Sequence, residues 1–246
     1  MHRILGSLLA TAAVVAACGA SAPTARVEVL GTLPHDPHAF TQGLELADGV
    51  LYEGTGLVGA SELRELDPAT GAVRRAVPIP EGLFGEGITV VGSSIWQLTW
   101  QDGVALQWDR ATLTLLRQVP VQGEGWGLCL DGARLVRSDG TDRLHFHDPR
   151  TFAETGSVTV SGETALNELE CVGGQVWANV WQTDRLVRID PSTGAVTAEV
   201  DASGLLTAEQ RADADVLNGI AHVTGDEYLL TGKRWPTTFR VRLTRQ

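Results

Sequence analysis

Two side chains of the 246-residue sequence are suited to moving a proton and stabilising a charge, Glu86 and Lys233. Glu86 follows Phe84 and lies between Gly85 and Gly87. A carboxylate with apolar neighbours has its pKa raised by desolvation, which suits it to general acid–base work near neutral pH. Lys233 is the sole lysine beside 18 arginines, and a compact ammonium supplies a point charge that a guanidinium does not. The bland alternatives are a solvated charge at Glu86 and a remnant of biased composition at Lys233. Other chemistries find no support. His35 and His38 lie in a Pro-bearing turn, and His145 and His147 share one face of an outer strand. None has the HExxH or CxxC spacing of a zinc site, so neither a metal nor another cofactor is expected. There is no GxSxG elbow, no phosphate loop, and no evident His partner for Cys129 or Cys171.

What could position Glu86 and Lys233 is a repeat. Short strand-like runs end in Asp-centred turns at Asp67, Asp109, Asp148 and Asp190, spaced by 42, 39 and 42 residues. A second anchor recurs as Gln42-Gly43-Leu44, Glu86-Gly87-Ile88, Trp126-Gly127-Leu128, Asn167-Glu168-Leu169 and Asn218-Gly219-Ile220. Its steps are near 40–44 residues except the last, where residues 201–215 are inserted. That insert carries Thr207-Ala208-Glu209-Gln210, a capping-box pattern, which predicts one short helix near 205–214. Four strands in about 40 residues is the pattern of a propeller blade. The expected fold is all-β: a five-bladed β-propeller of four-stranded antiparallel blades, over residues 26–246. The fifth unit is one strand short at its C-terminal end, and the strand at 25–30 is expected to complete it, removing an exposed edge. A β-sandwich is the competing architecture, and the matched anchors weigh against it.

This geometry brings the anchors to one end of a central channel. Fourteen residues separate Glu86 from Trp100, Asn167 from Trp181 and Gly219 from Lys233, about the length of a hairpin of two short strands. Gln42, Glu86, Trp126, Asn167 and Asn218 should therefore share a rim with Trp100, Trp181 and Lys233. Alternation places Phe40 with Gln42, Phe84 with Glu86, and Glu124 with Trp126. The expected mouth is an aromatic cup of Phe40, Phe84, Trp100, Trp126 and Trp181 around a few polar groups, the usual make-up of a small-ligand pocket. Trp96, Trp108 and Trp177 are expected to pack between blades instead.

At these residues the chain resembles the plant-type and bacterial glutaminyl-peptide cyclotransferases, a five-bladed propeller family. The motifs are Phe40-Thr41-Gln42-Gly43-Leu44, Phe84-Gly85-Glu86-Gly87-Ile88, Leu98-Thr99-Trp100, Glu124-Gly125-Trp126-Gly127-Leu128, Leu166-Asn167-Glu168-Leu169-Glu170, Ala178-Asn179-Val180-Trp181, Val216-Leu217-Asn218-Gly219-Ile220-Ala221 and Thr231-Gly232-Lys233-Arg234-Trp235-Pro236. They run in order from about residue 40 to 239. The resemblance implies metal-independent conversion of an N-terminal glutamine of peptides or proteins to pyroglutamate, with release of ammonia. It implies a site of Phe40, Gln42, Phe84, Glu86, Trp100, Trp126, Asn167, Trp181 and Lys233. Within it Glu86 is expected to act as base and then acid, Lys233 and Asn167 as donors to the developing oxyanion, and Gln42 as a substrate-orienting group. The rival readings are a non-catalytic extracytoplasmic propeller that binds peptides or partner proteins, and a sugar-lactone hydrolase, which usually needs a metal held by several channel carboxylates.

Composition bounds the surroundings. With 30 acidic and 19 basic residues the net charge is −11, which disfavours nucleic acid as a partner. Arg3, then the apolar run 4–17 ending Val15-Ala16-Ala17-Cys18, reads as a signal peptide over 1–17 with a lipoprotein cleavage box. Cys18 would carry the lipid, with residues 18–25 as a flexible tether. The expectation is a membrane-anchored extracytoplasmic lipoprotein, monomeric, in a compartment that permits a disulfide. Two cysteines, Cys129 and Cys171, remain within the predicted domain, either as buried thiols or as a bonded pair.

Overall fold

The Asp-centred turns explain the punctuation of the chain. Asp67 Oδ1 accepts from the amides of Ala69 and Thr70, and Asp148 Oδ1 from those of Arg150 and Thr151. Asp109 and Asp190 do the same for Thr112 and Ser192. Each carboxylate satisfies amides that have just left a ladder, so the chain reverses at that point.

The structure, a computed structural model, describes residues 22–245; the signal segment and Cys18 lie outside them. Its first strand is β1 (Thr24–Pro34). Three antiparallel four-stranded sheets follow, each in chain order. The first holds β2 (Thr41–Ala47), β3 (Val50–Thr55), β4 (Glu62–Leu66) and β5 (Val73–Pro78). The second holds β6 (Gly85–Val91), β7 (Ser94–Thr99), β8 (Val104–Asp109) and β9 (Leu115–Pro120). The third holds β10 (Leu128–Asp131), β11 (Arg134–Ser138), β12 (Arg143–His147) and β13 (Glu154–Thr159). Next come β14 (Leu166–Val172), β15 (Gln175–Val180), β16 (Arg185–Asp190) and β17 (Ala195–Asp201), then the helix α1 (Ala208–Arg211). The chain ends with β18 (Leu217–Thr224), β19 (Glu227–Gly232) and β20 (Thr237–Arg245). β14 to β20 and β1 form one eight-stranded sheet, in the order β14-β15-β16-β17-β1-β20-β19-β18.

The expected use of the N-terminal strand is what this last sheet shows. β1 pairs antiparallel with β20 from Ala25↔Arg245 to Pro34↔Thr237, with a register shift near Gly31. It also touches β17 in parallel at Thr24 and Ala25, and this short contact fuses two groups of four strands into one sheet. The first strands of the repeats pack in a cycle: β2 on β6, β6 on β10, β10 on β14, β14 on β18, and β18 back on β2. The arrangement is propeller-like.

The core lies between the sheets rather than in one centre. Leu63, Ile88, Ile95 and Trp108 fill the space between the first and second sheets. Trp96, Leu98, Leu128 and Phe152 fill that between the second and third. Trp177, Leu186, Ile220 and Leu230 join the two groups of the large sheet, so Trp96, Trp108 and Trp177 are packing residues, as expected from sequence. The helix is shorter than the 205–214 expected. Thr207 caps it with the full capping box, but Ala212 already ends it. Leu205 and Leu206 are drawn into the core ahead of the cap, so the helix starts after them, and it runs for one turn.

Cys129 and Cys171, left open by sequence, form a disulfide from β10 to β14. It ties two inner strands across the sheet interface that also holds Leu144, Val176 and Val187. A cross-link spanning 42 residues of sequence restricts the unfolded chain and is worth roughly 2–4 kcal/mol. Reduction, or the double change Cys129→Ser/Cys171→Ser, should lower unfolding stability by about that amount in urea titrations.

Candidate active site

The glycines after the anchor residues set the site's dimensions. A Cβ on Gly87 would sit 2.6 Å from the Trp126 carbonyl oxygen and 2.8 Å from Gly127 Cα. One on Gly43 would meet the Ile88 amide nitrogen at 2.6 Å. Inner strands therefore touch backbone to backbone at these points, and Gly87 N–H donates to the Trp126 carbonyl across the gap at 2.8 Å. Such close approach brings the anchor side chains to one end of the molecule.

There they enclose a cavity of about 440 Å³. Phe40, Gln42, Phe84, Glu86, Trp100, Trp126, Asn167, Trp181 and Lys233 all line it. The hairpin closes at the expected length: Trp100 N–H donates to the Phe84 carbonyl at 3.1 Å and Gly85 pairs with Thr99. The rings form two contacting sets. Phe40 meets Phe84 edge-on at 6.2 Å, and Phe84 meets Trp100 at 5.6 Å. Trp126 meets Trp181 edge-on at 5.4 Å. Trp100 and Trp181 are each 38% exposed and form the lip.

Inside, a polar chain fixes Glu86. Asn218 Nδ2 donates to the Thr41 carbonyl (3.0 Å) and to Gln42 Oε1 (3.2 Å). With its oxygen so held, Gln42 presents Nε2 to Glu86 Oε1 at 2.9 Å. Asn218 thus stands behind Gln42 rather than on the cavity wall. Burial pushes Glu86 well above the ordinary carboxylate range, the field of Lys233 opposes the rise, and that of Glu124 adds to it. Burial lowers Lys233, while Glu86 and Asp215 hold it up. Among the described residues no ion pair joins Lys233 to a carboxylate; its ammonium lies 4.8 Å from the Phe40 ring centroid, a cation–π contact. Asn167 is buried, and its Oδ1 has no hydrogen-bond partner in the protein.

The chain as a whole is similar to known proteins. A family model described as glutamine cyclotransferase matches residues 3–243. The chain belongs to the glutamine cyclotransferase family. It is 39% identical over 228 residues to a glutaminyl-peptide cyclotransferase of Arabidopsis thaliana, a match spanning 88% of this chain and 71% of the relative. Its fold is similar to the crystal structure of Myxococcus xanthus glutaminyl cyclase, with a TM-score of 0.82 at 36% identity, over 92% of this chain and 100% of that one.

Several residues of this cyclotransferase-family chain escaped sequence reasoning. Gln182, Asp215 and Val216 also line the cavity. Glu124 is not on the wall, yet its Oε2 accepts both indole N–H groups, from Trp100 at 2.8 Å and Trp126 at 2.9 Å. It locks the two ring sets together, and the shared face of Glu124 and Trp126 was the only hint. Behind the site, Glu168 occupies the position that is glycine in the other anchors. Its carboxylate crosses the ring, accepting from the Leu44 amide of β2 (3.3 Å) and the Ile220 amide of β18 (2.9 Å). Glu170 accepts from His222 N and Glu45 from Val90 N. His35, placed by the sequence in a Pro-bearing turn, is buried beside Glu53 at 2.9 Å.

Burial raises Glu168 and Glu170 well above the ordinary range and pushes Glu45 up to about 7. A raised carboxyl binds its proton more tightly folded than unfolded, so its contribution is present below about pH 4.5 and is lost as pH climbs through the folded value. His147, held down at about 4 by burial, slopes the opposite way between pH 4 and 6.5. The Glu45 effect is therefore read by difference: melting temperature should decline less between pH 4.5 and 7 in Glu45→Gln than in the wild-type protein.

Proposed function

We propose that this chain is a glutaminyl-peptide cyclotransferase that closes an N-terminal glutamine to pyroglutamate and releases ammonia, with Glu86 as its acid–base group. The supporting observation is a buried carboxyl and a buried ammonium in one aromatic cavity with no ion pair between them. We read the cyclic contacts of β2, β6, β10, β14 and β18 as the inner strands of a five-bladed propeller, with the eight-stranded sheet as two blades joined by β1. We read the protein as a monomer. Cys18 in its cleavage box supports a lipid-anchored extracytoplasmic form acting on peptides or proteins with N-terminal glutamine.

The reaction is intramolecular, so binding chiefly selects the folded-back rotamer of the glutaminyl side chain, which the ring walls confine. The neutral α-amine attacks the side-chain amide carbon; a C–N bond forms and the carbonyl electrons move to oxygen. Glu86 takes a proton from the attacking nitrogen. Its raised pKa lets it then return that proton to the departing amide nitrogen as the original C–N bond breaks and ammonia leaves. Lys233 and Asn167 face the developing oxyanion, Lys233 as a cation and Asn167 through its amide N–H. The orientation of Gln42 is set by Asn218, so one Glu86 oxygen is occupied and the other is left for the substrate. No step requires a metal.

Glu86→Gln, if it stays folded, should lose at least about 100-fold in kcat toward a Gln-initiated peptide, followed by ammonia release; near-normal turnover would reject the acid–base role. Lys233→Met should cost on the order of 100-fold in kcat, with KM little changed, and a rise in KM alone would contradict the oxyanion role. In wild type, kcat/KM should rise on the acid side as Glu86 and the substrate amine lose protons. It should fall on the alkaline side below pH 10.5, as the lowered Lys233 deprotonates.

A further inference from the structure

A glutaminyl residue seated in the cup still has a chain attached at its carbonyl, and that chain must leave over the lip. The structure offers one continuation. Gln182, Asp215 and Val216 line both the main cavity and a second depression of about 300 Å³ beside it. The depression adds Thr183, Asp184, Arg211 and Ala214. It lies between the turn joining β15 to β16 and the 201–215 insertion that interrupts the repeat spacing.

Both walls are built rather than loose. Gln182 adopts φ 61°, a left-handed conformation uncommon for a residue with a side chain. The turn is held by Thr183, whose amide and hydroxyl both donate to the Val180 carbonyl. Across the groove, the Asp215 amide donates to the Lys233 carbonyl at 2.9 Å, and its own carbonyl accepts from Trp235 Nε1 at 2.9 Å. The two walls are joined at the far end by the Asp184–Arg211 ion pair at 3.2 Å. Arg211 is thereby neutralised. Asp215 Oδ1 accepts only its neighbour's amide, Val216 N at 2.7 Å, and no cation pairs with this carboxylate among the described residues. The groove therefore carries one exposed carboxylate without an ion-pair partner, next to the cup and within the field of Lys233.

We propose that this groove holds the second and third residues of the peptide substrate, and that Asp215 makes it favour a cationic side chain there over an anionic one. The proposal rests on the cyclotransferase reading of the adjoining cup. An exposed carboxylate facing a mobile cation gives a modest effect, roughly two- to fivefold, which salt should weaken.

The test compares Gln-Arg-Ala and Gln-Glu-Ala peptide amides. In the wild-type protein kcat/KM should be roughly two- to fivefold higher for the first, with the ratio shrinking in 0.5 M salt. Asp215→Asn should bring the ratio to about one, and Asp215→Lys should invert it. Because each variant is its own reference, partial loss of fold does not alter the ratio. Equal rates for both peptides in wild type, or a ratio unmoved in Asp215→Asn, would overturn the proposal. The pyroglutamyl forms of the same peptides, which cannot react, are titrated in parallel against the fluorescence of the lip tryptophans. A charge preference in binding that Asp215→Asn abolishes, without cyclisation of either glutaminyl peptide, would leave the groove standing and sink the cyclase reading. Absence of any preference in binding would sink the groove whether or not the peptides cyclise.

Discussion

The site depends on backbone touching backbone where side chains would normally intervene. At Gly43, Gly87 and Gly127 the next inner strand is so close that a Cβ would overlap main-chain atoms, at 2.1 Å from the Asn167 carbonyl in the case of Gly127. Inner strands held at that spacing bring Gln42, Glu86, Trp126 and Asn167 from four separate repeats to one cavity. Any methyl group there would push strands apart and widen the cup. Since the interiors between sheets are close-packed, the displacement would be transmitted rather than absorbed.

Within the cup, separation matters as much as proximity. A contact ion pair between Glu86 and Lys233 would hold the carboxyl low and occupy both groups. Here the two influence each other only through the field, while desolvation is the larger effect on each. The carboxyl rises and the ammonium falls, which narrows the gap between the two groups. Phe40 supplies the ammonium with a polarisable face in place of a counter-ion. The charges are left for what enters between them.

Much of this was legible in the sequence because repeats convert linear spacing into angular position. The anchors at 42, 86, 126 and 167 share a register, and the 14-residue steps to Trp100, Trp181 and Lys233 are hairpin lengths, so nine wall residues followed from counting. Asn218 followed only in part: its register was right, but its side chain turns to hold Gln42. What stayed hidden has a physical reason. Glu124 acts through two indoles whose orientation no spacing encodes. Glu168 sits in a glycine register, and a carboxylate reaching across to Leu44 and Ile220 depends on strands far apart in sequence. The helix is shorter than its capping box suggests because that box marks only where a helix starts: Leu205 and Leu206 before it go into the core, and nothing in the local pattern encodes the end at Ala212.

The insertion carries the last step. Residues 201–215 break the repeat spacing: Asp201 ends β17, and Ala202, Leu205 and Leu206 then enter the core beside Trp177 and Trp235. Of these residues Asp215 lines the cup, and the others fasten the segment. Thr207 and Gln210 close a one-turn helix, Gln210 reaches Thr237 at 3.1 Å, and Arg211 fastens the segment to Asp184. Asp215 is then delivered to the rim beside Lys233. A ring of equivalent sheets can build a cup, but its symmetry supplies the same kind of edge at every repeat. A direction of exit from the cup requires one repeat to differ, and the chain spends its longest irregular segment at the edge next to its only lysine.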